Sequence, residues 1–274
     1  MTTPSYGQGH APSVLRSQTW RNVDNSARYL AAHLRPGVNV LDVGCGTGTI
    51  TLDIARRVAP GRVVGVDCEA EVIESARQRA EDLRVANAVF VVGDTDHLPA
   101  SPPGLSGTGF DVVHAHQLLL HLADPVGALR EMLAALRPGG VLGARDTDYA
   151  GMIWWPADPR LDRWLALYRA IARDHGGEPD AGRHLLAWAH AAGAGQVTAS
   201  ASHWLHATPS ERQAWGGMWA ERIVGSAIAE QAVETGRATR ADLEDISEAW
   251  RTWTDNADGW FFIPHGEITC VAGR

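Results

Sequence analysis

Residues 38–50 read Val-Asn-Val-Leu-Asp-Val-Gly-Cys-Gly-Thr-Gly-Thr-Ile, and this stretch decides the fold. Its first part, Val38 to Val43, is a short apolar run rich in β-branched residues, which predicts a buried parallel strand. Three glycines follow, and the chain then takes helical apolar spacing from Thr49 to Val58. A strand, a glycine turn and a helix in this order are typical of the opening of a nucleotide-binding α/β domain.

The glycines lie at Gly44, Gly46 and Gly48, so their spacing is G-x-G-x-G. The dinucleotide fingerprint G-x-G-x-x-G would need its third glycine at the next position, where the chain has Thr49. Glycine suits such a turn because it adopts dihedral angles closed to other residues and lets a ligand contact the backbone. The spacing therefore favours a nucleotide-like ligand but disfavours a nicotinamide-dependent oxidoreductase.

Two further apolar runs end in residues suited to an adenosine. Arg62 to Val66 predicts a second strand that closes on Asp67, whose carboxylate can accept hydrogen bonds from two ribose hydroxyls. Val89 to Val92 predicts a third strand, and it is followed by Gly93-Asp94-Thr95, where a side chain can bond an adenine edge. The three strand ends together indicate a site for an adenosine-containing cofactor.

With these motifs the chain resembles the class I S-adenosylmethionine-dependent methyltransferases, and among them the small-molecule group similar to the ubiquinone and menaquinone biosynthesis C-methyltransferases. The resemblance rests on residues 41–48, Val66-Asp67, Gly93-Asp94, residues 110–113 and residues 136–140. It implies an α/β, Rossmann-like fold: a seven-stranded mixed sheet of order 3-2-1-4-5-7-6, helices on both faces and an inserted helical cap.

The resemblance also implies S-adenosylmethionine as the cofactor and assigns residues to it. The three glycines would hold its amino-acid end, Asp67 its ribose, and Asp94 with Thr95 its adenine. Asp42 would support the loop and the cofactor amino group, while the segment ahead of the first strand would close over the pocket. The expected cofactor residues are Tyr6, Arg21, Asp42, Gly44, Gly46, Gly48, Asp67, Cys68, Asp94, Thr95 and His114.

Composition excludes several kinds of function. All 24 basic residues are arginine, and without lysine Schiff-base chemistry, pyridoxal phosphate enzymes and the P-loop lysine are excluded. The net charge of -8 disfavours nucleic acid as substrate or partner. No run approaches a membrane span and no signal peptide is visible, so we expect no membrane partner and a cytoplasmic protein. Three scattered cysteines do not indicate a disulfide framework.

The chain is expected to divide into four segments. Residues 1–36 form a cofactor-covering segment with a helix over Val14 to Leu34, and residues 37–148 form the α/β core. Residues 149–195 form the cap insertion, and residues 196–274 supply C-terminal helices and the edge strands that complete the sheet. One long helix is expected over Pro209 to Gln231.

Methyl transfer from a sulfonium needs a base only where the accepting atom must lose a proton. The candidates follow the fourth predicted strand, Phe110 to His114, and are His116 and His121, although His121 could simply cap or pack at the start of a helix. Asp146 and Asp148 follow the fifth predicted strand, but the metal-dependent catechol type of methyltransferase also has an acidic residue after the fourth strand, where this chain has His114, so no metal is expected. The candidate acceptor-binding residues are Gln117, Tyr149, Trp154, Trp155, Trp215 and Trp219.

The sequence thus predicts an S-adenosylmethionine-dependent methyltransferase that acts on a small molecule, such as a secondary metabolite, by in-line transfer. The alternative is a protein of the same fold that binds S-adenosylmethionine and uses the pocket for another reaction or an interaction. The acceptor, the methylated atom and the oligomeric state are not determined by the sequence.

Overall fold

A computed structural model describes residues 20–101 and 109–272, and in this part the chain forms one eight-stranded sheet. The strand order is β3-β2-β1-β4-β5-β8-β6, and β7 pairs with β8. The strands are β1 (Val40–Val43), β2 (Val63–Asp67), β3 (Ala88–Val92), β4 (Phe110–His116), β5 (Leu136–Thr147), β6 (Ile153–Trp155), β7 (Val197–His206) and β8 (Trp260–Val271).

The predicted α/β fold is confirmed. Strands β1 to β5 are parallel neighbours, and β8 runs antiparallel between β5 and β7. With β7 and β8 counted as the sixth and seventh strands, the order is the expected 3-2-1-4-5-7-6. The addition is β6, which the sequence did not predict and which pairs with the start of β8.

Nine α-helices lie in the described part of the chain. They are α1 (Val23–Ser26), α2 (Thr49–Val58), α3 (Ala70–Asp82), α4 (Pro125–Ala134), α5 (Pro159–Asp174), α6 (Leu185–Ala191), α7 (Pro209–Gly225), α8 (Ala227–Glu234) and α9 (Arg240–Asp255). None of the helices in this part is long and apolar enough to cross a membrane.

The apolar residues separate into three clusters that position the site. On one face of the sheet α1, α2 and α3 pack against Val40, Val63 and Val112, and on the other α4 and α6 pack against Val113 and Leu142. The third cluster joins α5, α7, α8 and α9 around three fully buried tryptophans, Trp164, Trp219 and Trp250. This third cluster, called the cap below, stands beyond the carboxyl ends of the parallel strands.

The sequence erred in several element limits. The described part of the predicted helix Val14 to Leu34 is only α1 and a 3-10 turn, Arg28–His33, because the Asn22–Asn25 capping box starts a short helix there. The single helix predicted over Pro209 to Gln231 is two helices, interrupted at Ser226, whose backbone is extended. The four segment limits stay a prediction, although α6, expected in the cap, packs on the sheet.

Candidate active site

A cavity of about 320 Å³ lies between the carboxyl ends of the parallel strands and the cap. One end is lined by the glycine turn and by the residues that end β2 and β3, in ranges 42–47, 66–69 and 93–96. The other end is lined by His116 and by side chains of the cap. The cavity therefore joins the expected cofactor residues to the expected acceptor residues.

The glycine turn is shaped by left-handed backbone at Gly44 (φ 69°) and Gly46 (φ 55°). A Cβ at Gly44 would lie 2.9 Å from Cδ1 of Leu118, so a side chain there would collide as well as strain the backbone. The Gly46 amide donates to the Asp67 carboxylate at 2.9 Å, which fixes the turn against the end of β2. Both glycines and Asp67 line the cavity.

Gly48 does not line the cavity. Its φ is 78°, and a Cβ there would lie 2.8 Å from Cζ of Phe90 and 3.1 Å from Cβ of Ala76. It lies at the N-terminus of α2, where the absence of a side chain lets the turn pack against β3 and α3. The structure therefore gives Gly48 a packing role, and not the cofactor contact that was expected from the sequence.

Asp42 is held in place by two neighbours. Thr51 Oγ1 donates to one of its oxygens at 2.5 Å, and Nδ1 of His114 lies 2.7 Å from the other. Because a carboxylate oxygen accepts, Nδ1 of His114 is the donor of this hydrogen bond. Asp42 lines the cavity, whereas His114 is fully buried behind it and does not, so the structure gives no cofactor contact to His114.

The remaining expected cofactor residues that the structure describes, Arg21, Cys68, Asp94 and Thr95, all line the cavity. Burial, with the Asp67 charge, raises the pKa of Cys68 to about 11, so this thiol stays protonated. Tyr6 lies outside the described residues. Sequence reasoning missed Thr47 and Glu69, which line the same end and directly neighbour its motifs.

His116 ends β4 and is the better placed of the two candidate bases. It is buried, lines the cavity, and neither ring nitrogen has a hydrogen-bond partner among the described residues. Burial, followed by the charges of Arg145 and Arg21, holds the pKa of His116 well below 6.5. The ring is therefore neutral near pH 7, which leaves a lone pair for a proton, and the same lowered pKa makes it a weaker base than a free imidazole.

His121 also lines the cavity, but it ends the 3-10 turn Leu119–His121 instead of opening a helix as expected. Burial, with the charges of Arg222 and Arg21, lowers the pKa of His121 to about 3. This ring is neutral at any physiological pH.

Gln117 is locked in orientation by residues distant in sequence. Its Nε2 donates to Thr147 Oγ1 at 2.6 Å and lies 3.1 Å from Nε2 of His265. Because Nδ1 of His265 donates to the Ile263 carbonyl at 3.0 Å, its Nε2 is an acceptor. Both contacts engage the amide nitrogen of Gln117, and among the described residues none donates to its carbonyl oxygen. No sequence signal pointed to His265.

Three of the five expected aromatic residues, Tyr149, Trp215 and Trp219, line the cavity. Trp154 instead stacks on Phe261 at 5.4 Å in the core of the cap, and Trp155 is 61% exposed on β6. Neither tryptophan lines the cavity as expected, because the short strand β6 carries both residues away from it.

Two further aromatic residues, which belong to no sequence motif, also line the cavity. Tyr168 stacks on Tyr149 with centroids 4.3 Å apart, and Trp204, at the end of β7, lies 5.2 Å from the guanidinium carbon of Arg21. No group of three or more His, Cys, Asp or Glu able to hold a metal occurs among the described residues, and the expectation that no metal takes part stays a prediction.

Comparison with known proteins gives one family. The model of the methyltransferase domain family matches residues 34–182. An uncharacterized methyltransferase of Schizosaccharomyces pombe is 30% identical over 271 residues, covering 96% of this chain and 95% of that protein. A demethylmenaquinone methyltransferase of Lactiplantibacillus plantarum is 35% identical over 117 residues, covering 42% of this chain and 47% of that enzyme.

A similar solved structure is that of the [4+2]-cyclase SpnF. It has a TM-score of 0.52 and 23% identity, and the match covers 95% of this chain and 80% of that chain. At this identity the likeness supports the fold and leaves the reaction open.

Proposed function

Because the chain belongs to the methyltransferase domain family and is an S-adenosylmethionine-dependent methyltransferase, we propose that it methylates a small molecule bound between the sheet and the cap. The observation that carries the proposal is one cavity lined at one end by the glycine turn and at the other by His116 and aromatic cap residues. The net charge of -8 and the enclosed aromatic wall favour a small organic acceptor over nucleic acid.

The residues at the glycine turn fit the cofactor. Gly44 and Gly46 line the cavity with left-handed backbone, so main-chain groups and no side chains of these two residues face a ligand there. Asp42, Asp67 and Asp94 place carboxylates along the same wall, which suits a ligand that carries an amino group, a sulfonium and ribose hydroxyls. We assign Gly44 and Gly46 to its amino-acid end, Asp67 to its ribose, and Asp94 and Thr95 to its adenine.

When bound, S-adenosylmethionine supplies a methyl carbon already activated by a sulfonium leaving group. The chain then has to orient the acceptor and exclude water, and buried walls such as Trp219 and Ile263 serve this end. Gln117 offers a carbonyl oxygen of fixed direction, and the neutral ring of His116 takes a proton when the acceptor must lose one.

The partial likeness to a demethylmenaquinone methyltransferase supports testing hydroquinones among the acceptors. Purified protein would be given methyl-labelled S-adenosylmethionine with separate phenol, hydroquinone, amine and thiol panels, and labelled products would be identified by mass spectrometry. We expect label in at least one acceptor, and loss of that product in Asp67→Ala, with Asp82→Ala as a matched surface control.

The alternative is that the cofactor is bound but its methyl group stays in place. Calorimetric binding of S-adenosylhomocysteine without label transfer to any panel member, together with conversion of a compound without methyl gain, would establish that alternative.

A further inference from the structure

Gln117 follows β4 directly and has an unusual backbone. Its φ is 51°, in the left-handed region that residues other than glycine seldom adopt. The conformation is held by a hydrogen bond of 2.8 Å from the Gln117 backbone amide to the carbonyl of Arg145 on β5. Gln117 also lines the cavity. Backbone strain persists only where surrounding contacts maintain it, and it clusters at sites that bind ligands.

The side-chain amide of Gln117 is held by two partners on other strands. Its Nε2 donates to Oγ1 of Thr147 at 2.6 Å and lies 3.1 Å from Nε2 of His265. An amide nitrogen carries two hydrogens, which match these two partners. The nitrogen is therefore turned toward β5 and β8, and the opposite end of the amide is the carbonyl oxygen Oε1, to which no described residue donates.

His265 decides which end of the amide points toward it. Burial, followed by the charge of Arg145, holds the pKa of His265 well below 6.5, so the ring is neutral. Its Nδ1 lies 3.0 Å from the Ile263 carbonyl, which only accepts, so Nδ1 carries the hydrogen and Nε2 carries a lone pair. If the amide of Gln117 were rotated by half a turn, its Oε1 would face this lone pair. The orientation of the amide is thus fixed.

The part of the wall beside this amide is apolar. The ring of Trp204 lies 4.5 Å from the ring of His265, and both Trp204 and Ile263 line the cavity and are buried. A ligand that covers Gln117 there removes water from its carbonyl oxygen, and an oxygen left without a donor is costly. A site of this kind rejects an analogue that lacks the matching donor.

We propose that the acceptor carries a hydrogen-bond donor, an O–H or N–H group, which it donates to Oε1 of Gln117. This inference rests on the proposed function, since it concerns the acceptor bound in the same cavity. Gln117 is a specificity-determining residue, and His265 is a positioning residue that keeps the carbonyl oxygen turned to the ligand. Phenols and N–H heterocycles fit this class, whereas ethers, ketones and carboxylates present only lone pairs to Oε1.

The test compares two flat probes of the same shape, indole, which has one N–H donor, and benzofuran, which has a ring oxygen in its place. Each is titrated by calorimetry into protein saturated with S-adenosylhomocysteine. We expect wild-type protein to bind indole about tenfold more tightly, because benzofuran leaves the Gln117 carbonyl oxygen unpaired. Gln117→Met keeps an unbranched side chain without this acceptor and should remove the preference.

Two variants of His265 test its positioning role. His265→Phe removes the lone pair that fixes the amide of Gln117, so the preference for indole should fall to about threefold or less. His265→Gln offers a side-chain oxygen that can accept from the same amide nitrogen, and it should restore most of the preference. A purely structural role of His265 would not distinguish the two variants in this way. An unchanged preference in folded His265→Phe would overturn the positioning role.

The matched control is Gln213→Met. Gln213 is an exposed glutamine of α7 that does not line the cavity, so this variant should keep the full preference for indole. Equal wild-type affinity for the two probes, binding of neither probe, or a preference unchanged in folded Gln117→Met would overturn the proposal. The wild-type comparison decides even where a variant fails to fold.

The same titrations separate this inference from the proposed function. Failure of the wild-type protein to bind S-adenosylhomocysteine would count against the proposed function. Normal binding of S-adenosylhomocysteine with no preference for indole would overturn only the assignment of a hydrogen-bond donor to the acceptor.

Discussion

Replacement of Gly48 by alanine should destabilise the fold and leave cofactor binding intact. The backbone at Gly48 has a φ of 78°, which costs an L-residue about 1–2 kcal/mol. The new Cβ would also lie 2.8 Å from Cζ of Phe90, a buried ring that cannot easily retreat. Overpacking of this kind costs about 1–3 kcal/mol, so we expect a total loss of about 2–5 kcal/mol.

Gly139→Ala separates the two contributions. Gly139 has nearly the same backbone, with a φ of 75°, but a Cβ there would have no atom within 4 Å. Its replacement should cost only the backbone part, about 1–2 kcal/mol. The difference in the free energy of unfolding between the two variants then measures the crowding against Phe90.

The assay is urea unfolding of both variants, followed by calorimetry of S-adenosylhomocysteine under native conditions. A Gly48→Ala variant no less stable than Gly139→Ala would refute the crowding argument. If Gly48→Ala has normal stability but binds S-adenosylhomocysteine tenfold or more weakly, Gly48 would have to be assigned to the cofactor site.

Three further variants test other parts of the molecule. Asp67→Ala should weaken binding of S-adenosylhomocysteine by about 1–3 kcal/mol, or about 5- to 150-fold by calorimetry, and unchanged affinity in a folded variant would remove Asp67 from the site. His116→Ala should lower turnover by about 100-fold without loss of cofactor affinity. Because burial and Arg145 hold the pKa of His116 well below 6.5, wild-type turnover should stay level through this pH and fall only when the ring is protonated at lower pH. A midpoint near 6.5 would contradict the lowered pKa, and unchanged turnover in His116→Ala would contradict the role as base. Glu267→Ala should cost about 3–5 kcal/mol in urea unfolding, since it leaves Arg145 as a buried, uncompensated cation, and a loss under about 1 kcal/mol would contradict a structural role for the pair.

The pH expectation differs from the one that an unperturbed histidine would give. From the sequence alone, the activity of a His116-dependent enzyme should decline near pH 6.5. In the structure the ring is buried and lies close enough to Arg145 and Arg21 for both to disfavour its protonation. Neither arginine is near His116 in sequence, so the change in pKa could not be predicted.

The sequence alone determined the sheet and grouped, at one end of the cavity, the residues that we propose for the cofactor. Short apolar runs that end in glycine or aspartate place Gly44, Gly46, Asp67 and Asp94 at carboxyl ends of parallel strands, and such ends meet at one edge of a sheet. This information is local, because each strand, turn and helix is encoded within a few consecutive residues. The predicted limits of α2 match the structure for the same reason.

Only the tertiary structure decided which residues line the other end of the cavity, which we propose for the acceptor. Helical spacing shows which side of α7 is apolar, but it does not show that Arg222 lies on the cavity or that Trp154 packs against Phe261 away from it. His265 meets Gln117 across 148 positions of the chain, because β8 returns antiparallel beside β5. Contacts between distant segments depend on how the cap helices and the edge strands pack together, and no short stretch of sequence encodes that packing.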